Sequence, residues 1–168
     1  AREDIRHFYT RLGANFYAIH SLFAHLYGHR DDFFEQITHL VERLARAYID
    51  RPEDLKHVDM AREEDHNWFL SQDITGMALY VDGFAGDLAG MKSHLPYLTE
   101  LGVNMAHIMP MLVCPEGASD GGYAVSDFRN IDPRVGTLED LRELAETMRK
   151  RGMLLTLDMV VNHTSDEH

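Results

Sequence analysis

Cysteine is nearly absent: Cys114 stands alone among 168 residues. No internal disulfide framework can form, which is compatible with a reducing compartment. Positive charge is also scarce. Lys and Arg number 16 against 28 Asp and Glu, a formal net charge of −12. A nucleic-acid backbone would repel such a chain, and the same charge favours solubility. No apolar run approaches the ~20 residues that span a bilayer. The opening Ala1-Arg-Glu-Asp-Ile-Arg6 lacks the apolar stretch of a signal peptide. The expectation is a cytoplasmic protein with neither nucleic acid nor membrane as partner. Ala in place of Met at position 1 points to a processed, truncated or excerpted chain. His20, His25, His29, His39 and His57 are scattered without ligand spacing, so no metal is expected among them. What the chain does have is an apolar share of 45%, enough to bury a core in one ordinary domain or two small ones.

The first part reads as helical. Ile5, Phe8, Tyr9, Leu12, Phe16, Ile19, Phe23 and Leu26 recur at steps of three and four, which predicts a helix over 5–28 with Gly28 as its terminator. Asp31 or Asp32 is placed to cap a second helix, whose stripe runs through Phe34, Ile37, Leu40, Val41, Leu44, Tyr48 and Ile49. Pro52 breaks it and opens a third helix with Leu55 and Val58. The charged segment 61–66 reads as a solvated face, and Trp68, Phe69 and Leu70 as an apolar knot before a turn. Residues 1–72 are therefore expected to form an all-helical domain, concerned with packing and docking.

Near Ile74 the grammar changes. Residues 77–82 read as a strand, 88–101 as a helix ended by Gly102, and 103–109 as a second strand stopped by Pro110. A long polar loop runs from Met111 to about Gly136. Thr137, with Asp140 at the third position, opens another helix, and Gly152 closes it. Met153 to His168 begins as an apolar run that fits a strand buried on both faces. Strand, helix, strand, helix, strand is the order of a parallel sheet.

That last strand ends in Asp158, Asn162 and His163, a carboxylate, an amide and an imidazole. In barrels of alternating strands and helices, chemistry is placed at this end of the strands. The trio suits gripping sugar hydroxyls, and equally suits a polar surface loop. The loop after the second strand holds Asp120-Gly-Gly-Tyr123. Two glycines permit a tight turn that brings carboxylate and aromatic ring to one place. An Asp-Gly turn with a packed tyrosine is the plainer reading. Cys114 has no base placed for it and reads as structural. Asp82 ends the first strand, and Asp127 and Asp132 lie in the loop; each is solvated, ion-paired or site-lining. His107 reads as a hydrogen-bonded core residue within its strand.

Asp158-Met-Val-Val-Asn-His163 resembles the first conserved region of the α-amylase superfamily of glycoside hydrolases and transglycosylases. Tyr80-Val-Asp-Gly-Phe-Ala-Gly-Asp-Leu88, Cys114-Pro-Glu-Gly117, Ser119-Asp-Gly-Gly-Tyr-Ala-Val125 and Asn162-His-Thr-Ser-Asp-Glu-His168 together resemble its amylosucrase branch, which also has a helical domain ahead of its barrel. Gly83 departs from that branch, where a larger residue is usual. The resemblance implies an α/β fold: a helical N-terminal domain, then residues 73–168 as the first part, about three strands, of a (β/α)₈ barrel. It implies a retaining mechanism on sucrose. Fructose leaves, a glucosyl-enzyme forms on an aspartate, and the glucosyl passes to an α-1,4-glucan or to water. By motif match, Asp120 would sit at the base of the glucose pocket, Tyr123 would stack on the sugar, His163 would bond its hydroxyls, and Asp158 would support the pocket from behind. Asn162 matches a calcium ligand of many α-amylases, yet this branch is expected to need no cofactor. The family's nucleophile and acid/base follow the fourth and fifth strands, and a barrel typically takes about 250 residues. A fragment without activity of its own is therefore expected, its partners sucrose, α-glucan and the missing C-terminal part of the barrel. The rival readings are a sucrose hydrolase, a trehalose synthase-like enzyme, and a non-catalytic carbohydrate-binding fragment.

Overall fold

Local rules place most of the helix ends. The structure, a computed structural model, describes residues 2–168, in two compact units: one ends at His66, the other runs from Asn67 to His168. The first holds α1 (Arg2–Tyr27), α2 (Phe33–Asp50) and α3 (Glu53–Glu64). Pro52 stands at the N-cap of α3, where a missing N–H leaves no helical bond unmade. Gly28 closes α1 with its N–H on the Ala24 carbonyl at 2.8 Å, without adopting a left-handed conformation. Asp32 holds the N-cap position of α2 but does not cap it. Its carboxylate accepts instead from Arg30 at 2.8 and 3.0 Å and from Gln36 at 3.1 Å, because a charged fork outcompetes a backbone N–H.

The buried face of α2 differs from the expected stripe. Phe33 and Ile37 are buried, while Phe34 is 76% exposed. Phe33 takes the place because its ring meets His20 and Phe23 of α1, with centroids 5.6 and 5.7 Å apart. Ile5, Tyr9, Phe16 and Leu26 of the α1 stripe remain exposed. The charged end of α3 is more than a solvated face: Glu63 accepts from Arg11 of α1 at 2.9 Å.

The second unit opens with a 3₁₀ turn at Trp68–Leu70. Phe69 and Leu70 are exposed, so these three residues are not a packed knot. Then come β1 (Gly76–Leu79), α4 (Val81–Ala85), α5 (Leu88–Glu100), β2 (Met105–Ile108), β3 (Leu112–Val113), β4 (Asp127–Ile131), α6 (Leu138–Lys150) and β5 (Leu154–Leu157). The parallel sheet has the order β1-β2-β5, with Ala78 and Thr156 flanking His107. A helical region followed by parallel β/α units is the expected fold class. The box opening α6 forms as read: Thr137 accepts from the Asp140 N–H at 3.2 Å, and Asp140 accepts from the Thr137 N–H at 2.8 Å.

Two strand readings need correction. β1 stops at Leu79, because the Tyr80 carbonyl already accepts from Phe84 and starts α4. Asp82 is therefore helical, its Oδ1 accepting from the Gly83 N–H at 2.8 Å. The loop over 111–136 contains the antiparallel pair β3–β4, with an irregular register between Leu112 and Val113. The third strand of the parallel sheet, β5, pairs with β2; Leu154 and Leu155 are half-buried and Thr156 and Leu157 exposed in this stretch of chain. The strand with partners on both sides is β2, whose Ala106 and Ile108 are fully buried in one core with Leu88, Met91 and Leu95 of α5 and Leu144 and Met148 of α6. Among the described residues no helix is long and apolar enough to cross a membrane.

Candidate functional site

Strand alternation decides which side chains can meet. Ala106 and Ile108 point into the helix-covered core, so His107 between them points to the opposite face. Thr156 is its partner in β5, and Asp158 lies two residues on, hence on the same face. The Asp158 N–H donates to the Ile108 carbonyl at 3.3 Å, one residue past the ladder. From there its carboxylate takes two bonds. Oδ1 accepts from His107 Nε2–H at 2.7 Å, and Oδ2 accepts from the Tyr123 hydroxyl at 2.8 Å. The His107 bond first, then the Tyr123 bond, hold Asp158 below the usual carboxylate range. The same bond, seen from the phenol, pushes Tyr123 upward.

Tyr123 reaches Asp158 because the turn before it is left-handed three times over: Asp120 has φ 48°, Gly121 66° and Gly122 93°. The turn closes on itself, with Gly122 and Ala124 N–H groups both on the Ser119 carbonyl at 2.9 Å. Beside it lies a hollow of about 160 Å³ walled by Tyr80, Asp82, Pro110, Gly122, Asp132 and Arg134. Asp132 is buried there and accepts from the Arg134 backbone N–H and Nε at 2.9 Å and from Nη2 at 2.6 Å.

Of the residues singled out in the sequence, Tyr123 and Asp158 meet directly. Asp120 belongs to the same turn and is exposed. His163 is exposed and lines a separate hollow with Phe128, Val160 and Thr164. There Asn162 Nδ2 donates to His163 Nδ1 at 2.8 Å, which leaves the ring proton on Nε2, free to donate to a hydroxyl. Asn162 is thus occupied as an imidazole partner, and among the described residues no group of three His, Cys, Asp or Glu is placed to hold a metal. His107 is the member that sequence reasoning left in the core. It is 36% exposed and belongs to the cluster. Aligning 103–109 against 153–158 as adjacent parallel strands would have brought it beside Asp158.

Cys114 donates to the Gly122 carbonyl at 3.3 Å. Burial, then the nearby Asp132, push its thiol above the ordinary value, the opposite of what a nucleophile needs. Cys114→Ser keeps a donor of similar size, so activity of the whole enzyme is expected within about twofold of parental; a large loss of turnover with the fold intact would reverse this assignment.

Asp132 is held low first by the Arg134 hydrogen bond, against the upward push of burial. A depressed folded value means its stabilisation is complete above the unfolded value of about 3.9 and disappears as pH falls through the folded one. Asp132→Asn is therefore expected to lower the urea midpoint at pH 6, with the gap to the parent shrinking by pH 3. A gap that stays constant across this range would exclude the ionised pair as its source.

The family profile described as "Alpha amylase, catalytic domain" matches residues 24–168. An oligo-1,6-glucosidase of Parageobacillus thermoglucosidasius is 46% identical over 83 residues, 49% of this chain and 14% of that protein. A trehalose-6-phosphate hydrolase of Escherichia coli is 43% identical over 97 residues, 58% of this chain and 16% of that protein. Among solved structures, a mutant isomaltulose synthase of Erwinia rhapontici in complex with its natural substrate sucrose aligns with a TM-score of 0.52 at 37% identity, over 57% of this chain and 18% of that one. The chain thus spans less than a fifth of the length of each of these relatives. With the profile matching most of its residues, the chain belongs to the α-amylase family and carries part of that family's catalytic domain.

Proposed function

We propose that the whole enzyme cleaves sucrose with retention, releases fructose and passes the glucosyl unit to an α-1,4-glucan, as in the amylosucrase branch. The single observation that carries a sugar site is the Tyr123–Asp158 hydrogen bond of 2.8 Å. It fixes an aromatic ring beside the strand ends, on the same turn as an exposed carboxylate, Asp120. A ring face stacks on the apolar side of a pyranose, and a carboxylate accepts from its hydroxyls. The sucrose complex of the isomaltulose synthase relative favours sucrose as the glucosyl donor. The order of Asp120-Gly-Gly-Tyr123 and Asp158 to His168 behind a helical region favours transfer over isomerisation. Asp120, Tyr123 and Asp158 would bind the glucosyl ring, His163 stands at a separate hollow, and the two carboxyl groups of a retaining mechanism would come from other segments.

A second reading, a glucosidase acting on α-1,6-linked oligosaccharides, is favoured by the 46% identity to an oligo-1,6-glucosidase. A sucrose hydrolase would differ only in where the glucosyl goes.

The test is product analysis of the whole enzyme on sucrose and on isomaltose. Fructose release with an iodine-staining glucan supports transfer; fructose with free glucose alone supports hydrolysis. An isomer of sucrose as main product, or turnover of isomaltose but not sucrose, overturns the proposal. These 168 residues by themselves are expected to release no fructose. Recovery of release on mixing with a separately expressed remainder of the barrel would mark a split enzyme, whereas sugar binding by the 168 residues alone would favour a binding module.

A further inference from the structure

We propose that His107 is a positioning residue for the sugar-facing ring of Tyr123, acting through Asp158; this rests on reading the Asp120–Tyr123 turn as a glucosyl site. A carboxylate with one partner turns freely about its terminal bond. With partners on both oxygens it is held. Here one oxygen is held by the central strand through His107 at 2.7 Å, and the other holds the Tyr123 hydroxyl at 2.8 Å. The Tyr123 ring is otherwise carried by a turn whose three preceding residues are all left-handed. Such a turn sets where the ring starts, and the hydroxyl anchor sets where it points.

Packing alone does not explain His107. Its neighbours Ala106 and Ile108 are fully buried, whereas its own side chain lies on the face away from the helices and gives Nε2–H to Asp158 at 2.7 Å. The strand itself would be served by any β-former at this position. Nor is the imidazole placed to touch the sugar through Nε2, because that atom already donates to Asp158. Its role is one step removed, relaying the rigidity of the sheet's central strand to the ring. The low pKa direction of Asp158 agrees with a carboxylate held charged between two donors.

The experiment compares His107→Asn with His107→Gln in the whole enzyme, on sucrose and on an aryl α-glucoside. Asparagine offers a donor too short to reach Asp158, whereas glutamine offers one at the reach of Nε2. Displacing a positioning contact costs about 10- to 100-fold, so His107→Asn is expected to lose that much in kcat with KM little changed. His107→Gln is expected to keep turnover within about fivefold of parental. In a Tyr123→Phe background, His107→Asn should add almost nothing, because the relay has already been cut. Full additivity of the two losses means a merely structural effect and overturns the proposal, as does parental turnover in His107→Asn when Tyr123→Phe is impaired. Parental turnover of both single variants on both substrates removes the sugar-site reading and the proposal with it. Activity on the aryl glucoside but not on sucrose rejects sucrose as the donor, and the expected His107→Asn loss read on the aryl glucoside then supports the relay while parental turnover there overturns it. Should His107→Asn not fold, the His107 Nε2–H resonance of the unaltered enzyme decides: a shift on titration with glucose supports the relay, and an unmoved resonance overturns it.

Discussion

Asp120→Asn is expected to lower turnover of the whole enzyme by about 10²- to 10³-fold, the usual cost of removing one preorganised polar contact to the transition state, while leaving its melting temperature unchanged. Asparagine separates two roles that alanine would confound. Asp120 is the one non-glycine residue with positive φ among the described residues, at 48°. Asparagine tolerates that backbone region as well as aspartate does, whereas a plain Cβ residue is strained there. The substitution therefore keeps the turn and deletes only the charge. An exposed carboxylate spent on fold stability would show as a lower melting temperature with parental turnover. An acceptor for sugar hydroxyls would show as the reverse, because contacts that tighten as the oxocarbenium-like state forms raise kcat. Parental turnover in Asp120→Asn would remove Asp120 from the site.

The second large effect is on the fold. Gly122→Ala is expected to destabilise the protein by about 2–5 kcal/mol, from about 1–2 for a left-handed alanine and about 1–3 for overpacking. At φ 93°, a Cβ on Gly122 would sit 2.9 Å from the Pro110 carbonyl oxygen and 3.1 Å from the Pro110 Cβ. Backbone at the end of a strand cannot give way as a flexible side chain can. Gly121→Ala is the control. Its φ is 66°, and the nearest atom to the new Cβ would be the Tyr80 hydroxyl at 3.4 Å, an ordinary contact. It should therefore pay only the conformational cost, about 1–2 kcal/mol. Thermal unfolding should place Gly122→Ala well below Gly121→Ala, by roughly 2–4 °C for each kcal/mol between them in a protein of this size. Equal melting temperatures would show that the approach to Pro110 does not shape the turn. Because the Gly122 carbonyl also accepts from Cys114 and Tyr123 follows directly, a displaced turn is expected to lower activity as well.

What could be read from the residues alone is whatever depends on near neighbours in the chain. The helix starts at Pro52 and Thr137, the parallel β/α order from Ile74 onward, and the glycine-built turn before Tyr123 all follow from backbone geometry and hydrogen bonds spanning a few residues. The family likeness was legible for the same reason, since its motifs are short and contiguous. Misreadings arose where two remote segments compete for one surface. Phe33 took the buried place assigned to Phe34 because the rings of α1 were waiting there.

The site divides along the same line. Asp120 and Tyr123 are close in sequence, and a turn joins them whatever the rest of the fold does. That Tyr123 should meet Asp158, 35 residues on, and that His107, 51 residues before Asp158, should hold the carboxylate's other oxygen, was settled only by register. Composition and spacing by themselves determined the helical and β/α order and the kinds of side chain brought to the strand ends, and the family came from the likeness of its short motifs. Which of those side chains share a proton was decided by tertiary structure, because a hydrogen bond requires donor and acceptor within about 3 Å and only the pairing of β2 with β5 brings these atoms that close.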